Sequence, residues 1–149
     1  MEQKLLPPRL FQIALVLMVT LDVLFGPRPI TAQGPALFAG IALALLGIVF
    51  TMGGAGQFSR RKTNINTFLK PDHLVTDGLF SISRNPMYLG FSCVLAGVAV
   101  ALDSVYGLVI SGAFVIIVDR WYIRFEERIM SETFGEAYAA YRKTTRRWL

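Results

Sequence analysis

Cysteine is nearly absent from this chain: Cys93 is the sole one in 149 residues, and it lies inside an apolar run. A disulfide framework is therefore excluded. Histidine is equally scarce, with His73 alone, and one histidine without a suitable cysteine argues against a metal site. Charged residues make up 17% of the chain and apolar ones 54%. That balance is too greasy for an ordinary soluble domain. No internal repeat and no low-complexity tract is visible. No small-residue cleavage site follows the first apolar run, and Pro7-Pro8 is an unusual opening for a signal peptide, so the start of the chain is read as retained. The net charge of +5 would suit nucleic acid in a soluble protein. Here the basic residues flank apolar segments instead, which fits a membrane surface and leaves no nucleic-acid partner expected. The length points to one domain, residues 1–149.

What the chain has in abundance is apolar sequence in blocks. Four stand out: Leu10 to Phe25, Ala36 to Met52, Met87 to Leu102 and Val105 to Val118. Each is shorter than the roughly 20 residues of a membrane-spanning helix, so flanking residues must extend them or the bilayer must thin. Almost no polar stripe interrupts any block, which sets buried soluble helices aside. The expected fold is all-α: an integral membrane bundle of four transmembrane helices. Gly26-Pro27-Arg28-Pro29 ends the first block and Gly34-Pro35 opens the second. Asp103-Ser104 is a minimal turn, predicting a tight antiparallel hairpin of the third and fourth spans. The stretch 53–86 is polar and too long for a mere connector. Residues 120–149 read as a helical tail, with Phe125, Ile129, Phe134, Tyr138 and Tyr141 near helical spacing and Gly135 as a candidate break.

Basic residues divide unevenly between the two sides. Lys4, Arg9, Arg60, Arg61, Lys62, Lys70, Arg84 and all those from Arg120 to Arg147 fall on one side, and Arg28 alone on the other. The positive-inside rule places both termini, the 53–86 loop and the tail in the cytoplasm. A bacterial inner membrane is the expected location.

The polar residues gather at that same cytosolic end. Arg84-Asn85-Pro86-Met87-Tyr88 directly precedes or opens the third span, and Glu126-Glu127 lies just past the fourth. Separately, each has a bland explanation. Pro86 starts a helix, Asn85 caps it, Arg84 anchors it, and the glutamates balance Arg120, Arg124 and Arg128 on a solvated face. Together they suit a small zwitterionic ligand: a carboxylate holds an ammonium, and an arginine holds a carboxylate. Gly53-Gly54-Ala55-Gly56 reads either as a helix end or as a place of close backbone approach. No strand precedes it, so it is not a dinucleotide loop. Asp77-Gly78 reads as a tight turn. Asp22, inside the first span, is near enough to Gly26 to reach the interface, although an acid in a span is a functional candidate by default.

Leu74-Val75-Thr76-Asp77-Gly78-Leu79-Phe80, Arg84-Asn85-Pro86-Met87-Tyr88-Leu89-Gly90, Glu126-Glu127, Phe134-Gly135-Glu136-Ala137-Tyr138 and Tyr141-Arg142, in this order, resemble the isoprenylcysteine carboxyl methyltransferase and phospholipid methyltransferase superfamily. The resemblance covers roughly residues 53–149. It implies an integral membrane methyltransferase that uses S-adenosylmethionine and a lipophilic or small-molecule acceptor among membrane lipids. It further implies cofactor contacts from Asp72, His73, Leu74, Val75, Phe80, Asn85, Pro86, Met87, Tyr88 and Glu126. Arg84 and Asn85 are implied at the reacting end, with Arg120 or Arg124 as options for a substrate carboxylate. The carboxyl methyltransferases usually carry histidine where this chain has Asn85, so Asn-Pro-Met-Tyr sits closer to the phospholipid amine enzymes. Prenylcysteine carboxylates and small thiols stay open as acceptors. A small four-span transporter working through Asp22 is the reading from another class. It would place its polar groups at the midplane, whereas here they lie at one end.

Overall fold

The computed structural model describes residues 5–26, 34–61 and 71–149. Lys4, Arg28, Lys62 and Lys70, which enter the charge asymmetry, lie outside the described residues, as does most of the Gly26–Pro29 break. Among the described residues every regular element is helical. α1 is Pro7–Phe25, α2 Pro35–Arg60, α3 the single turn Leu79–Ile82, α4 Pro86–Ala101 and α5 Val105–Ile117. A π-helical turn, Val118–Ile123, joins α5 without a break to α6, Arg124–Thr144.

Prolines open three of these helices. Pro7, Pro35 and Pro86 stand in the first turn, where a missing N–H costs nothing and φ is already helical. Ser104 caps α5 by accepting from the Gly107 N–H at 2.9 Å. Asp103, with φ of +52°, completes the minimal turn, and α4 and α5 pack as the expected hairpin. Asp22 does reach a polar partner: the Ser104 hydroxyl donates to its Oδ1 at 2.7 Å.

Two expected boundaries move. α2 does not end near Met52 but continues to Arg60, so the 53–86 stretch begins inside a helix. The glycines there do not break it, because they serve packing: a Cβ on Gly53 would meet Leu79, and one on Gly54 would meet Met87 at 2.8 Å. The fourth span likewise does not stop at Val118. Nothing there breaks a helix, and the chain runs on to Gly135, whose φ of +49° and ψ of −119° put the kink in α6.

α2 lies along α4, α4 pairs with α5, and α1 packs on α5 and α4. The core is Met18, Leu95, Phe114, Val118 and Ile123 with Tyr88. Phe11 and Phe91 stack beside it at 4.7 Å between centroids. Three helical runs are long and apolar enough to cross a membrane: Pro7–Phe25, Pro35–Arg60 and Val105–Thr144. α4 is apolar throughout but has 16 residues, about 24 Å at the helical rise, against a hydrocarbon core of about 30 Å. Large apolar side chains face outward on α1, α2 and α5, among them Val23 at 76% and Phe38 at 74% exposure. Apolar exteriors of this extent need a nonaqueous neighbour. They give the chain the character of a multi-pass membrane protein.

Candidate active site

A cavity of about 140 Å³ opens where α4 begins. Its walls come from Phe58 on α2, the 71–75 segment, Phe80 on α3, the first turn of α4 and the facing side of α6, with Pro7 and Pro8 at the start of α1. The turn before α3 is firmly placed. Gln57 clamps it at two points: its Nε2 donates to the Asp77 carbonyl at 3.1 Å, and its Oε1 accepts from the Leu79 N–H at 3.0 Å. Gly78, at φ +58°, turns the chain as Asp77-Gly78 predicted. Phe58 and Phe80 then stack at 4.8 Å with 19° between planes. Tyr141 fastens α6 to α3 by donating to the Phe80 carbonyl. Its burial, and after it the neighbouring Tyr138, push the Tyr141 hydroxyl well above its ordinary pKa, so it stays a donor.

The two adjacent glutamates have different surroundings. Glu126 accepts from the Tyr88 hydroxyl at 2.7 Å and lines the cavity. Glu127 sits between two arginines. Arg84 Nη2 reaches its Oε1 at 2.6 Å, and Arg147 Nη2 reaches its Oε2 at 2.5 Å. The Arg84 and Glu127 side chains are only 9% and 11% exposed. Burial by itself raises the Glu127 pKa. The hydrogen bonds and charges of Arg147 and Arg84 outweigh it, and the carboxyl is held below its ordinary value. Arg147 also spans both oxygens of Asp119, at 3.1 and 3.3 Å. Two arginines are thus balanced by two carboxylates, and Glu126 places another carboxyl group in the wall of an otherwise largely apolar cavity.

His73, Leu74, Val75, Phe80, Arg84, Asn85, Pro86, Met87, Tyr88 and Glu126 all line one cavity. Asp72 is exposed beside it, and Arg120 and Arg124 are exposed and outside the lining. Asn85 precedes α4, but its side chain does not cap the helix. Instead its Nδ2 donates to the Arg147 carbonyl at 3.0 Å. Arg84 lines the cavity while spending Nη1 on the Thr145 carbonyl at 2.7 Å and Nη2 on Glu127.

Sequence reasoning missed Gln57, Phe58, Asp119, Arg147 and Trp148. Asp119 carried the one available signal, an acid at the very end of an apolar run. Arg147 was one basic residue among many in the tail.

An all-helical bundle with outward apolar faces and an aromatic-walled cavity at one end defines the class: a multi-pass membrane protein with a cavity at one end of its helices. The sequence profile of the phospholipid methyltransferase family matches residues 35–137, more than half of the chain, and the chain belongs to that family. It is also similar to protein-S-isoprenylcysteine O-methyltransferase B of Arabidopsis thaliana, 28% identical over 107 residues, covering 68% of this chain and 53% of the relative. The chain thus spans about half the length of that curated relative. No solved structure gives a significant match.

Proposed function

We propose that this chain is a membrane methyltransferase that binds S-adenosylmethionine in the α4–α6 cavity and methylates a lipophilic acceptor, a phospholipid amine first among the candidates. The observation that carries the reading is Glu126: a carboxylate oriented by the Tyr88 hydroxyl at 2.7 Å in a wall of Phe58, Phe80, Met87 and Phe91. The donor set suits the cofactor's ammonium and its flat, apolar base. It suits the carboxylate less well, since Glu127 already neutralises much of the Arg84 charge. The cavity is smaller than the roughly 300 Å³ at which drug-sized sites begin, so a ligand that large must extend into the open mouth.

When bound, S-adenosylmethionine supplies an electrophilic methyl group. The chain's own residues then do the positioning, which is where methyl transfer gains most. Glu126 pairs with the ammonium, and Phe80 and Tyr88 offer aromatic faces or edges to the base or the sulfonium. Asn85 spends its N–H on the Arg147 carbonyl, leaving the amide oxygen as an acceptor toward an amine nucleophile. An amine must shed a proton before attack and gains from such a neighbour, whereas a carboxylate needs a cationic clamp. Arg120 and Arg124, exposed outside the cavity, offer none there. The uneven spread of basic residues supports a cytosolic side for both termini, the side from which a soluble cofactor would reach the cavity mouth.

The similarity to the plant enzyme favours a second reading, a prenylcysteine carboxylate as acceptor. Titration calorimetry in detergent should show micromolar binding of S-adenosylmethionine, about 8 kcal/mol; no heat at millimolar ligand would refute cofactor use. Labelled cofactor with competing phosphatidylethanolamine and a prenylcysteine analogue should then label the amine. Label found only as a base-labile methyl ester would establish the second reading instead.

A further inference from the structure

The segment after α6, residues 145–148, runs back along the residues that open α4. The Arg84 N–H donates to the Arg146 carbonyl at 3.0 Å. The Ser83 hydroxyl donates to the Arg147 carbonyl at 3.2 Å, and Asn85 Nδ2 donates to that same carbonyl at 3.0 Å. Ser83 and Asn85 are buried, so these donors have little recourse to water. Side chains lock the same segment from the other direction. Arg147 forks onto Glu127 through Nε and Nη2 at 3.2 and 2.5 Å and onto Asp119 through Nη1. Trp148 Nε1 donates to Asp119 at 3.0 Å, and its ring packs on the core. None of these residues after α6 lines the cavity, yet Arg84, Asn85 and Glu127, which do, are held by them.

We propose that Arg147 is a positioning residue for the reaction: through its carbonyl it fixes Asn85, and through its guanidinium it fixes Glu127 and so Arg84, setting the shape and charge of the cofactor cavity without touching the cofactor. The inference rests on the proposed function above. Its physical basis is that Glu127 is shared. With Arg147 removed, Glu127 keeps Arg84 as its one close arginine and is free to swing toward it. The wall between Arg84 and Glu126 then loses its fixed geometry. A residue that only stabilised the fold would lower the melting temperature and leave the binding of folded protein unchanged. A positioning residue changes binding by the protein that is folded.

The test is calorimetric titration of S-adenosylmethionine into monodisperse, detergent-solubilised full chain, wild type and Arg147→Gln, from acid to neutral pH, with melting temperatures measured alongside. Arg147→Gln should weaken binding by about tenfold or more. It should also move the acid limb of the affinity–pH profile upward, because Glu127 loses the stronger of its two arginines while Glu126, Tyr138 and Arg84 stay beside it. Arg147→Lys keeps the charge but cannot span Glu127 and Asp119 together. It should fall between wild type and Arg147→Gln, and it decides the matter if Arg147→Gln does not fold. Wild-type affinity and an unmoved acid limb in the folded variants would overturn the proposal, whatever the melting temperature does. Failure of the wild type itself to bind would refute the proposed function and this inference with it.

Discussion

α4 has two different neighbours, and the contrast between them explains where the site lies. Along α2 it meets a seam of small residues. Gly40, Gly47 and Gly54 recur every seven residues on α2, facing Gly97, Gly90 and Met87 respectively on α4. Thr51 turns its hydroxyl back to the Gly47 carbonyl at 3.0 Å, so the seam contains no unsettled polar group. At its opening turn the same helix meets α6 through the Tyr88–Glu126 hydrogen bond. The residues just before it reach Glu127 through Arg84 and the 145–148 segment through hydrogen bonds to its carbonyls. Close backbone packing suits a membrane interior, where small residues let helices approach, but it leaves no room for a ligand. The cavity begins where the glycine seam ends, at Gly54 and Pro86. A rigid apolar seam therefore presents a polar end to whatever binds.

The sharpest way to break this contrast is to add one methyl group to the seam. A Cβ at Gly47 would lie 2.5 Å from the Gly90 carbonyl oxygen and 2.7 Å from the Val94 nitrogen. Both are backbone atoms and cannot move aside singly. Helix propensity favours alanine over glycine by about 1 kcal/mol, while overpacking typically costs about 1–3 kcal/mol and sometimes more. With backbone on both sides the steric cost wins, and Gly47→Ala should sharply lower the yield of folded protein and its melting temperature. Gly56→Ala, in the same helix with nothing within 4 Å of the added atom, should instead raise the melting temperature slightly. Equal behaviour of the two variants in a thermal-shift assay would show that the seam is not tight.

At the polar end, neighbouring glutamates should separate stability from binding. Glu127→Gln leaves Arg84 and Arg147 facing a neutral amide, with Arg84 only 9% exposed. Breaking a buried pair by removing one member costs about 3–5 kcal/mol, and partial exposure of Arg147 places this case at the low end. Glu126→Gln should leave the melting temperature nearly unchanged and weaken S-adenosylmethionine binding by about 2–5 kcal/mol. Adjacent helix positions point about 100° apart, so one ammonium cannot be shared equally between them. If Glu126→Gln lowers the melting temperature more than Glu127→Gln does, the assignment of roles is reversed.

How much of this was legible beforehand follows from the range of the interactions. The apolar blocks, the prolines that open helices and the Asp103-Ser104 turn are local signals, and the helices appear close to where these place them. The gathering of Arg84, Asn85, Tyr88 and Glu126 was legible because both segments leave the apolar blocks on the same side. The continuation of α2 through Gly53–Gly56 was not, since glycine breaks a helix or tightens a helix pair depending on a partner far away in sequence, here Leu79 for Gly53 and Met87 for Gly54. Arg147 was invisible for a related reason. Its value comes from Asp119 and Glu127 on another element, and in the sequence it resembles every other basic residue of the tail.

Acid should weaken the polar end before it touches the seam. The folded pKa of Glu127 lies below its ordinary 4.5, so its contribution is fully present above about pH 4.5 and is lost as pH falls through the folded value. Thermal midpoints of the wild type should therefore be level near neutrality and decline at acid pH. Glu127→Gln should lose part of that decline, because it has no proton to bind there. A wild-type acid slope fully retained in Glu127→Gln would assign the acid sensitivity to another carboxyl group.

The smallest effect belongs to the other ion pair near the site. Arg61 and Asp77 approach at 2.5 Å, but their side chains are 59% and 55% exposed. Arg61 holds Asp77 below its usual carboxylate range. In water, however, such pairs lose most of their Coulomb gain to screening and to the entropy of two long side chains. The turn they join has a better fastening in Gln57, whose amide engages both the Asp77 carbonyl and the Leu79 N–H. Asp77→Asn should therefore leave both the melting temperature and S-adenosylmethionine affinity within error of wild type. Gln57→Ala, which removes both of those hydrogen bonds, should loosen the Phe58–Phe80 stack and weaken binding measurably. A larger loss in Asp77→Asn than in Gln57→Ala would mean that the exposed charge pair, rather than the amide clamp, holds this wall of the cavity.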